Sequence, residues 1–512
     1  MYRISLLEGN RLSDVCFYYP AKPTSEAELW KPLGKFLADC DYENETITAQ
    51  GEDGSKAVIS IDDHVFHLVE DGFDLKKTLY PKKMLRRVDL EHNRKSFYDL
   101  VPNNMGSFLT VDVGARYGVL GTDVEESRVL PRPFPSQLFW ARYYAKLRAG
   151  YSDETDLLGE GEDILKALFG NGAHPESDED ETAVELYRLL VHTAKEYLDS
   201  QFNIDWLSEK SPYTARQVES CWKILGGLIS TLDIEETEKM VQEANRQITK
   251  LLKIASPTMK KGKSISSFAV ARHKSQQQTI KDIRKKADEW ENRIMAMDAV
   301  VGQGSSKKND EELVSPFGNV FVRKADADEF THYQKLIEEK TPDMVGMLKD
   351  VYILDPIARR QRYEEALEKA EDKSEEELFH GSRTENMVSL IKSGGPTIHV
   401  TASNGRMFGN GSYWANNFDK SLGYTSFSNS RWAHGDAMEA YMLVGQVHTG
   451  KKYFTSFTGN DEQETKDGGY DCCYALADNT SLYRDEIITY DEEHSYVKAI
   501  LRIAEDNTND TE

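Results

Sequence analysis

Long apolar runs are missing from this chain: no uncharged stretch approaches the ~20 residues that a membrane-crossing helix needs. Cysteine is sparse as well. The five cysteines (Cys16, Cys40, Cys221, Cys472 and Cys473) form no CxxC pair, and an odd number cannot all pair with one another. That spacing excludes a disulfide framework and a thiolate zinc site, so a reducing compartment and no metal are expected. Positive charge is short too. Against 87 Asp+Glu stand 63 Lys+Arg, a net charge of −24, which repels nucleic acid and anionic membranes unless basic residues cluster locally. The opening "MYRISLLEGNRLSDV" lacks the basic-then-apolar pattern of a signal peptide. The expectation is a soluble, intracellular protein with no membrane partner, nuclear if the source is eukaryotic.

What is present describes a globular protein. Over 512 residues, 39% hydrophobic and 10% aromatic content gives room for two to four domains with at least one sizeable core. Residues 1–87 mix runs such as "KAVISI" and "HVFHLVE" with Asp/Gly/Pro turns, the pattern of a small α+β module of unknown role. Over 88–155, strand-like alternation gives way to an amphipathic helix at "FWARYYAKLRAG". The acidic stretch "GNGAHPESDEDE" (170–181) reads as a linker. Residues 183–305 are strongly helical. Ile280, Ile283, Ala287, Trp290, Ile294 and Met297 make one apolar stripe, and Val218, Trp222, Leu225 and Ile229 make another. "GQGSSKKNDEE" (302–312) has linker composition. From 326 to 505, the helical segments "DEFTHYQKLIEEK" and "RYEEALEKAE" lead to the strand candidates "AYMLVGQV", "EIITYD" and "SYVKAILRI". That is an α+β region with mostly antiparallel strands.

Three short blocks carry candidate chemistry. In "ELFHGSR" (377–383), His380 ends an apolar run and is followed at once by Gly381 and Ser382. A histidine at a strand end beside a glycine can offer its ring and an open backbone amide to one ligand; it can equally be a surface turn. "MFGNGSYWANNFDKSLGY" (407–424) has a Gly-x-Gly that could cradle phosphate, form a tight hairpin or shape a pocket for a flat ring. In "YRDEIITYDEE", Glu486 opens an apolar strand, either as a solvated charge or as a buried functional carboxylate.

Taken in order, the three blocks resemble the catalytic domain of the poly(ADP-ribose) polymerase family. In the middle block Met407, Phe408, Gly409, Gly411, Tyr413, Ala415, Lys420, Ser421 and Tyr424 match at the family's spacing. The resemblance implies an NAD+-consuming transferase with NAD+ as co-substrate and no permanently bound cofactor. It sets the family's His-Tyr-Glu signature on His380, Tyr413 and Glu486. By the same resemblance, Gly381 and Ser421 hold the nicotinamide carboxamide, and Tyr413 and Tyr424 take the two faces of its ring. His380 and Ser382 hold ribose hydroxyls. Glu486 bonds the ribose 2′-OH and steadies an oxocarbenium-like centre, and Lys420 faces the reaction centre. Acceptors would be proteins, the chain itself included.

Departures from the family are visible. Trp414 stands for a usual phenylalanine, Asp485 adds a carboxylate beside Glu486, and Gly394-Gly395 replaces Gly-Leu. The segment 393–406 has no clear counterpart of the family's adenosine-contacting arginine.

Upstream, "FLTVDVGARYGVLG" (108–121) resembles a WGR domain whose tripeptide has become Tyr117-Gly118-Val119 after Arg116. Arg116 and Tyr117 are therefore candidate contacts to DNA ends. Residues 203–300 resemble the helical regulatory domain of DNA-dependent members. Between Lys250 and Lys286, eleven Lys/Arg accompany one acid, Asp282, a patch that could meet phosphate or be a solvated helix face. The expected organisation is multidomain: an α+β WGR-like domain, an all-α helical regulatory domain and an α+β, mostly antiparallel ADP-ribosyltransferase domain. Glu486 favours polymer over single-unit transfer, and an inactive NAD- or DNA-binding scaffold is the reading from another class. Two rival chemistries are weaker. "GNGSYW" does not fit a dinucleotide-binding Gly-rich turn, and Cys472-Cys473 lies on an apolar strand rather than at a nucleophile's station.

Overall fold

The computed structural model describes in full residues 82–100, 142, 143, 145–158, 181–202, 204, 211–255, 264–273, 275–301, 315–398, 407–455, 461–480 and 482–505. Further strands and helix ends are described by backbone alone. The chain divides into two compact units, residues 1–158 with 252–267, and 159–251 with 268–512.

In the first unit the strand Lys83–Asp89 runs across residue 87, where the sequence suggested a boundary, and pairs with Arg94–Pro102. The latter pairs in turn with Asp112–Leu120, setting Tyr117 opposite Tyr98 and Arg116 opposite Asp99. The side chains of Arg116 and Tyr117 lie outside the described residues.

The second unit opens with helices α1 (Asp178–Gln201), α2 (Ala215–Ile229), α3 (Thr237–Ile254) and α4 (Gln276–Ala299). The acidic run ending at Glu181 is not wholly linker: Asp178 to Glu181 form the first turn of α1. Thr214 and Gln217 form a capping box that starts α2. On α2 the buried stripe is rotated slightly from expectation, with Cys221 and Leu228 joining Val218 and Leu225 in the core while Trp222 and Ile229 are half-buried. On α4 the expected stripe holds from its second member on: Ile283, Ala287, Trp290, Ile294 and Met297 are buried, whereas Ile280 is half-buried and Thr279 beside it takes the core position.

The rest of the unit is two antiparallel-rich sheets. The first contains β1 (Val320–Lys324), β2 (Leu348–Pro356), β3 (Glu375–Gly381), β5 (Glu439–His448) and β9 (Ser495–Ala504), in the order β1-β2-β9-β5-β3. The second contains β4 (Ser412–Trp414), β6 (Lys452–Phe454), β7 (Cys472–Ala475) and β8 (Glu486–Thr489), in the order β4-β8-β7-β6. All pairs are antiparallel except β6 with β7. Helices α5 (Ala327–Glu338) and α6 (Ile357–Lys369) fall where the "DEFTHYQKLIEEK" and "RYEEALEKAE" patterns placed them. Phe379, Met442, Val444 and Leu501 from the first sheet join Ile337 of α5 and Phe418 in one buried core. Each such side chain contributes about 1.5–3 kcal/mol through burial.

The two sheets meet at Phe379. Its backbone N–H donates to the Ala415 carbonyl at 2.8 Å, and the Ala415 N–H returns the bond at 2.9 Å. This clasp brings the end of β3, which carries His380, to the end of β4, which carries Tyr413. Gly394 and Gly395 both take positive φ, and the departing position, Gly395, sits at φ 147°. The helix α7 (Met387–Lys392) ends there with Gly394 at φ 74°, and its N–H and that of Gly395 bond back to Ile391 and Leu390. A Cβ on Gly394 would also lie 2.7 Å from that of Arg359. Of the segment 393–406, residues 399–406 lie outside the described residues.

Candidate active site

His380 is fixed first. Its Nδ1–H donates to the Tyr413 carbonyl at 2.8 Å, which makes Nε2 the lone-pair nitrogen. Beside it, Gly381 answers a steric demand: a Cβ there would sit 1.8 Å from the Ser421 carbonyl oxygen. Only glycine allows the β3 end to touch the short helix α8 (Phe418–Leu422). Ser421 locks the same contact by donating its hydroxyl to the Phe379 carbonyl at 3.1 Å. Ser382 Oγ accepts from Asn386 Nδ2 at 3.1 Å.

The Gly-x-Gly block is a tight turn rather than an anion nest. Gly409 takes φ 103°, and a Cβ on Gly411 would strike Ile488 Cγ2 at 2.5 Å and the Thr489 carbonyl at 2.7 Å. The turn is tied by Tyr413 itself, whose hydroxyl accepts from the Phe408 N–H at 3.0 Å and donates to the Gly409 carbonyl at 2.9 Å. The Asn410 N–H is taken by Glu462, at 2.7 Å. With its hydroxyl held in its own turn, Tyr413 presents a fixed ring.

Opposite lies an ion pair. Lys420 Nζ is 2.6 Å from Glu486 Oε1, and the side chains are 5% and 7% exposed. Burial raises the Glu486 carboxyl above the usual carboxylate range, and Lys420 opposes that rise. Lys420 also lies 5.9 Å from the Tyr424 ring centroid, and Tyr424 stacks on Trp432 at 6.2 Å and 25°.

These residues face one cavity of about 680 Å³, a volume suited to a dinucleotide-sized ligand. His380, Gly381, Ser382, Tyr413, Lys420, Ser421, Tyr424 and Glu486 all line it. Its remaining wall includes residues the sequence did not flag, among them Asp288, Glu289, Glu291 and Asn292 of α4. Asn386 bridges the wall by bonding Ser382 and, at 2.7 Å, Asn292. Lys392 pins the end of the same helix, donating to the carbonyls of Asp298 at 3.0 Å and Val301 at 3.3 Å. Cys472 and Cys473 are buried on β7, and burial pushes both thiols up to about 12, which removes them as nucleophiles at neutral pH.

Comparison with known proteins agrees with this architecture. Residues 327–503 match the family described as Poly(ADP-ribose) polymerase catalytic domain. The chain is also similar to a poly(ADP-ribose) polymerase-like protein of Invertebrate iridescent virus 6. The two are 26% identical over 163 residues, which is 30% of this chain and 84% of the viral protein. Sheets, cavity and match together define an enzyme, an ADP-ribosyltransferase. Residues 327–503 are its poly(ADP-ribose) polymerase catalytic domain, with NAD+ as substrate. No described helix is long and apolar enough to cross a membrane.

Proposed function

We propose that the chain transfers ADP-ribose from NAD+ to protein acceptors, itself included, and extends the first unit into poly(ADP-ribose). The observation that carries this is Glu486, buried and paired with Lys420 on the wall of the cavity that His380 and Tyr413 share. Nicotinamide lies between Tyr413 and Tyr424, its carboxamide on the Gly381 backbone and the Ser421 hydroxyl. Ribose hydroxyls bond His380 and Ser382. The bond from C1′ to nicotinamide nitrogen breaks, and its electron pair leaves with the base. The resulting oxocarbenium-like centre is steadied by the ionised Glu486, which accepts from the 2′-OH. An acceptor oxygen then attacks C1′. When that oxygen is a hydroxyl of an already attached ADP-ribose, Glu486 polarises its O–H, the proton leaves to solvent as the C1′–O bond forms, and the chain grows. Lys420 holds Glu486 in position.

Residues 88–155 and 183–305 then act as a WGR-like and a helical regulatory domain, with Arg116 and Tyr117 toward DNA ends, and broken DNA raises activity. The position of α4 along the cavity wall supports a regulatory role for the helices. In a eukaryote such an enzyme works in the nucleus. The test is incubation of the full chain with labelled NAD+, with and without nicked DNA, resolving products by size. A ladder that lengthens with DNA is expected. A single added unit assigns a mono-ADP-ribosyltransferase, no label assigns a binding scaffold, and equal rates with and without DNA refute the DNA response.

A further inference from the structure

We propose a second site, apart from the cavity, in which His448, Asp471 and His494 bind a divalent transition-metal ion of the zinc class. The three residues are far apart in sequence, yet each offers a donor atom, and these atoms all lie within 4.8 Å of one another. None of the three lines the catalytic cavity. They converge at the end of the β3–β5 ladder away from Phe379: His448 ends β5 opposite Glu375, Asp471 precedes β7, and His494 precedes β9.

Both imidazoles have the backing that metal-ligating histidines have, a ring N–H given to a backbone carbonyl. His448 Nε2 donates to the Asp372 carbonyl at 2.6 Å, and His494 Nδ1 donates to the Asp471 carbonyl at 3.0 Å. Each bond fixes the tautomer and makes the other nitrogen a lone-pair donor. The lone-pair nitrogen of His448, Nδ1, is fully buried and has no hydrogen-bond partner, in a residue that is 1% exposed. A buried acceptor with nothing to accept is the feature a cation would satisfy. Asp471 adds the negative charge, and the Lys451 N–H orients its Oδ2 at 2.7 Å. Gly450 holds the Asp471 carboxylate close to the Nε2 edge of His448, since a Cβ there would lie 2.3 Å from Asp471 Oδ2 and 2.6 Å from His448 Nε2, so ligation through Nδ1 requires the imidazole to turn.

Two imidazoles and one carboxylate match the borderline-soft character of Zn2+ and leave a fourth position for water or a carbonyl. Tetrahedral zinc sets its donors about 3.3 Å apart, so the ion draws the three side chains inward by side-chain rotation. The expectation of no metal rested on the scarcity of cysteine, which bears on thiolate ligands, and this donor set uses none. Such an ion clamps the start of β7, whose Ala475 pairs with Glu486 on β8. It thereby braces the strand behind the catalytic carboxylate without touching substrate.

The test uses the full chain stripped with EDTA, given Zn2+ or Co2+ alone and desalted. Expected are about one metal ion per chain by elemental analysis, visible Co2+ absorption bands, and a higher melting temperature with Zn2+. His494→Gln and Asp471→Asn are expected to bind at least about tenfold more weakly and to lose the thermal response. Unchanged metal uptake in both variants overturns the proposal. So does the absence of any Zn2+ effect on the melting of the unaltered chain, a measurement that needs no variant to fold.

Discussion

Replacing Glu486 by glutamine separates the chemistry of the first transfer from that of elongation. The substitution keeps the shape and removes the charge facing Lys420, which stands 2.6 Å away and is 5% exposed. Breaking a buried pair from one side costs about 3–5 kcal/mol. The glutamine oxygen still accepts from Nζ, so the net loss is nearer about 2 kcal/mol, the worth of a hydrogen bond to a charged group. That corresponds to a fall in melting temperature of about 4–8 °C for a domain of this size, and assays at 25 °C stay below the transition. Loss of one preorganised group opposite the developing charge lowers kcat by about 10²–10³. Elongation also loses the polarisation of the incoming hydroxyl, a further factor of about 10²–10⁴. On a gel of labelled products the ladder therefore disappears while a faint single-unit band remains, and nicotinamide release persists at the reduced rate. The double variant Lys420→Met with Glu486→Gln melts higher than the sum of the single losses allows, because no buried charge is left alone. Unchanged polymer length in Glu486→Gln would refute the role given to the carboxylate.

Two further outcomes follow from the same geometry. Burial raises the Glu486 carboxyl, and the ionised form does the work, so turnover falls as pH drops through a value above the ordinary carboxylate range; Lys420→Met moves that acid limb higher. Rates measured across pH check this, and a limb at or below the ordinary range contradicts it. The linkage has the opposite sign for stability: a folded-state pKa above the unfolded one gives a contribution that is full at low pH and lost as pH rises through the folded value. Gly381→Ala puts a Cβ 1.8 Å from the Ser421 carbonyl oxygen and 2.7 Å from its carbon. Backbone meets backbone there, so no rotamer relieves the overlap. About 3 kcal/mol of stability and nicotinamide-analogue binding are lost together, as read by urea melts and by titration.

What the sequence made legible was local. His380 lies at a strand end because an apolar run stops at a glycine, and Lys420 and Ser421 share one short helix with Tyr424 in the turn just after it, all within one and a half turns of chain. The strand "AYMLVGQV" is buried and almost continuously apolar for that reason, whereas "SYVKAILRI" is interrupted by Lys498 and Arg502, which are half-buried and ion-paired. What stayed hidden depends on pairs far apart in the chain. No local pattern tells that Glu462 holds the Asn410 amide, that Asn386 joins Ser382 to Asn292, or that the polar flank of α4 faces the cavity. The apolar stripe of α4 was visible because it repeats; its polar flank was not, since solvent and a cavity ask for the same residue types. The parallel pairing of β6 with β7 was equally silent, because their connection carries the helix α9 (Asp461–Asp467) in a stretch too polar to announce a crossover.

Trp414, the departure from the family's phenylalanine, is buried against β5. A Cβ on Gly445 would fall 2.4 Å from both Cη2 and Cζ3 of its indole. Gly445 lies where the β5–β9 register shifts, between Val444 and Gly445. The two positions therefore cannot change in either order. A side chain at 445 is tolerated only after 414 has become smaller, whereas a smaller 414 with glycine kept at 445 leaves an empty pocket about the size of the missing ring. With Trp414 in place, position 445 is held to glycine, and any engineered variant of this strand has to shrink 414 before it fills 445.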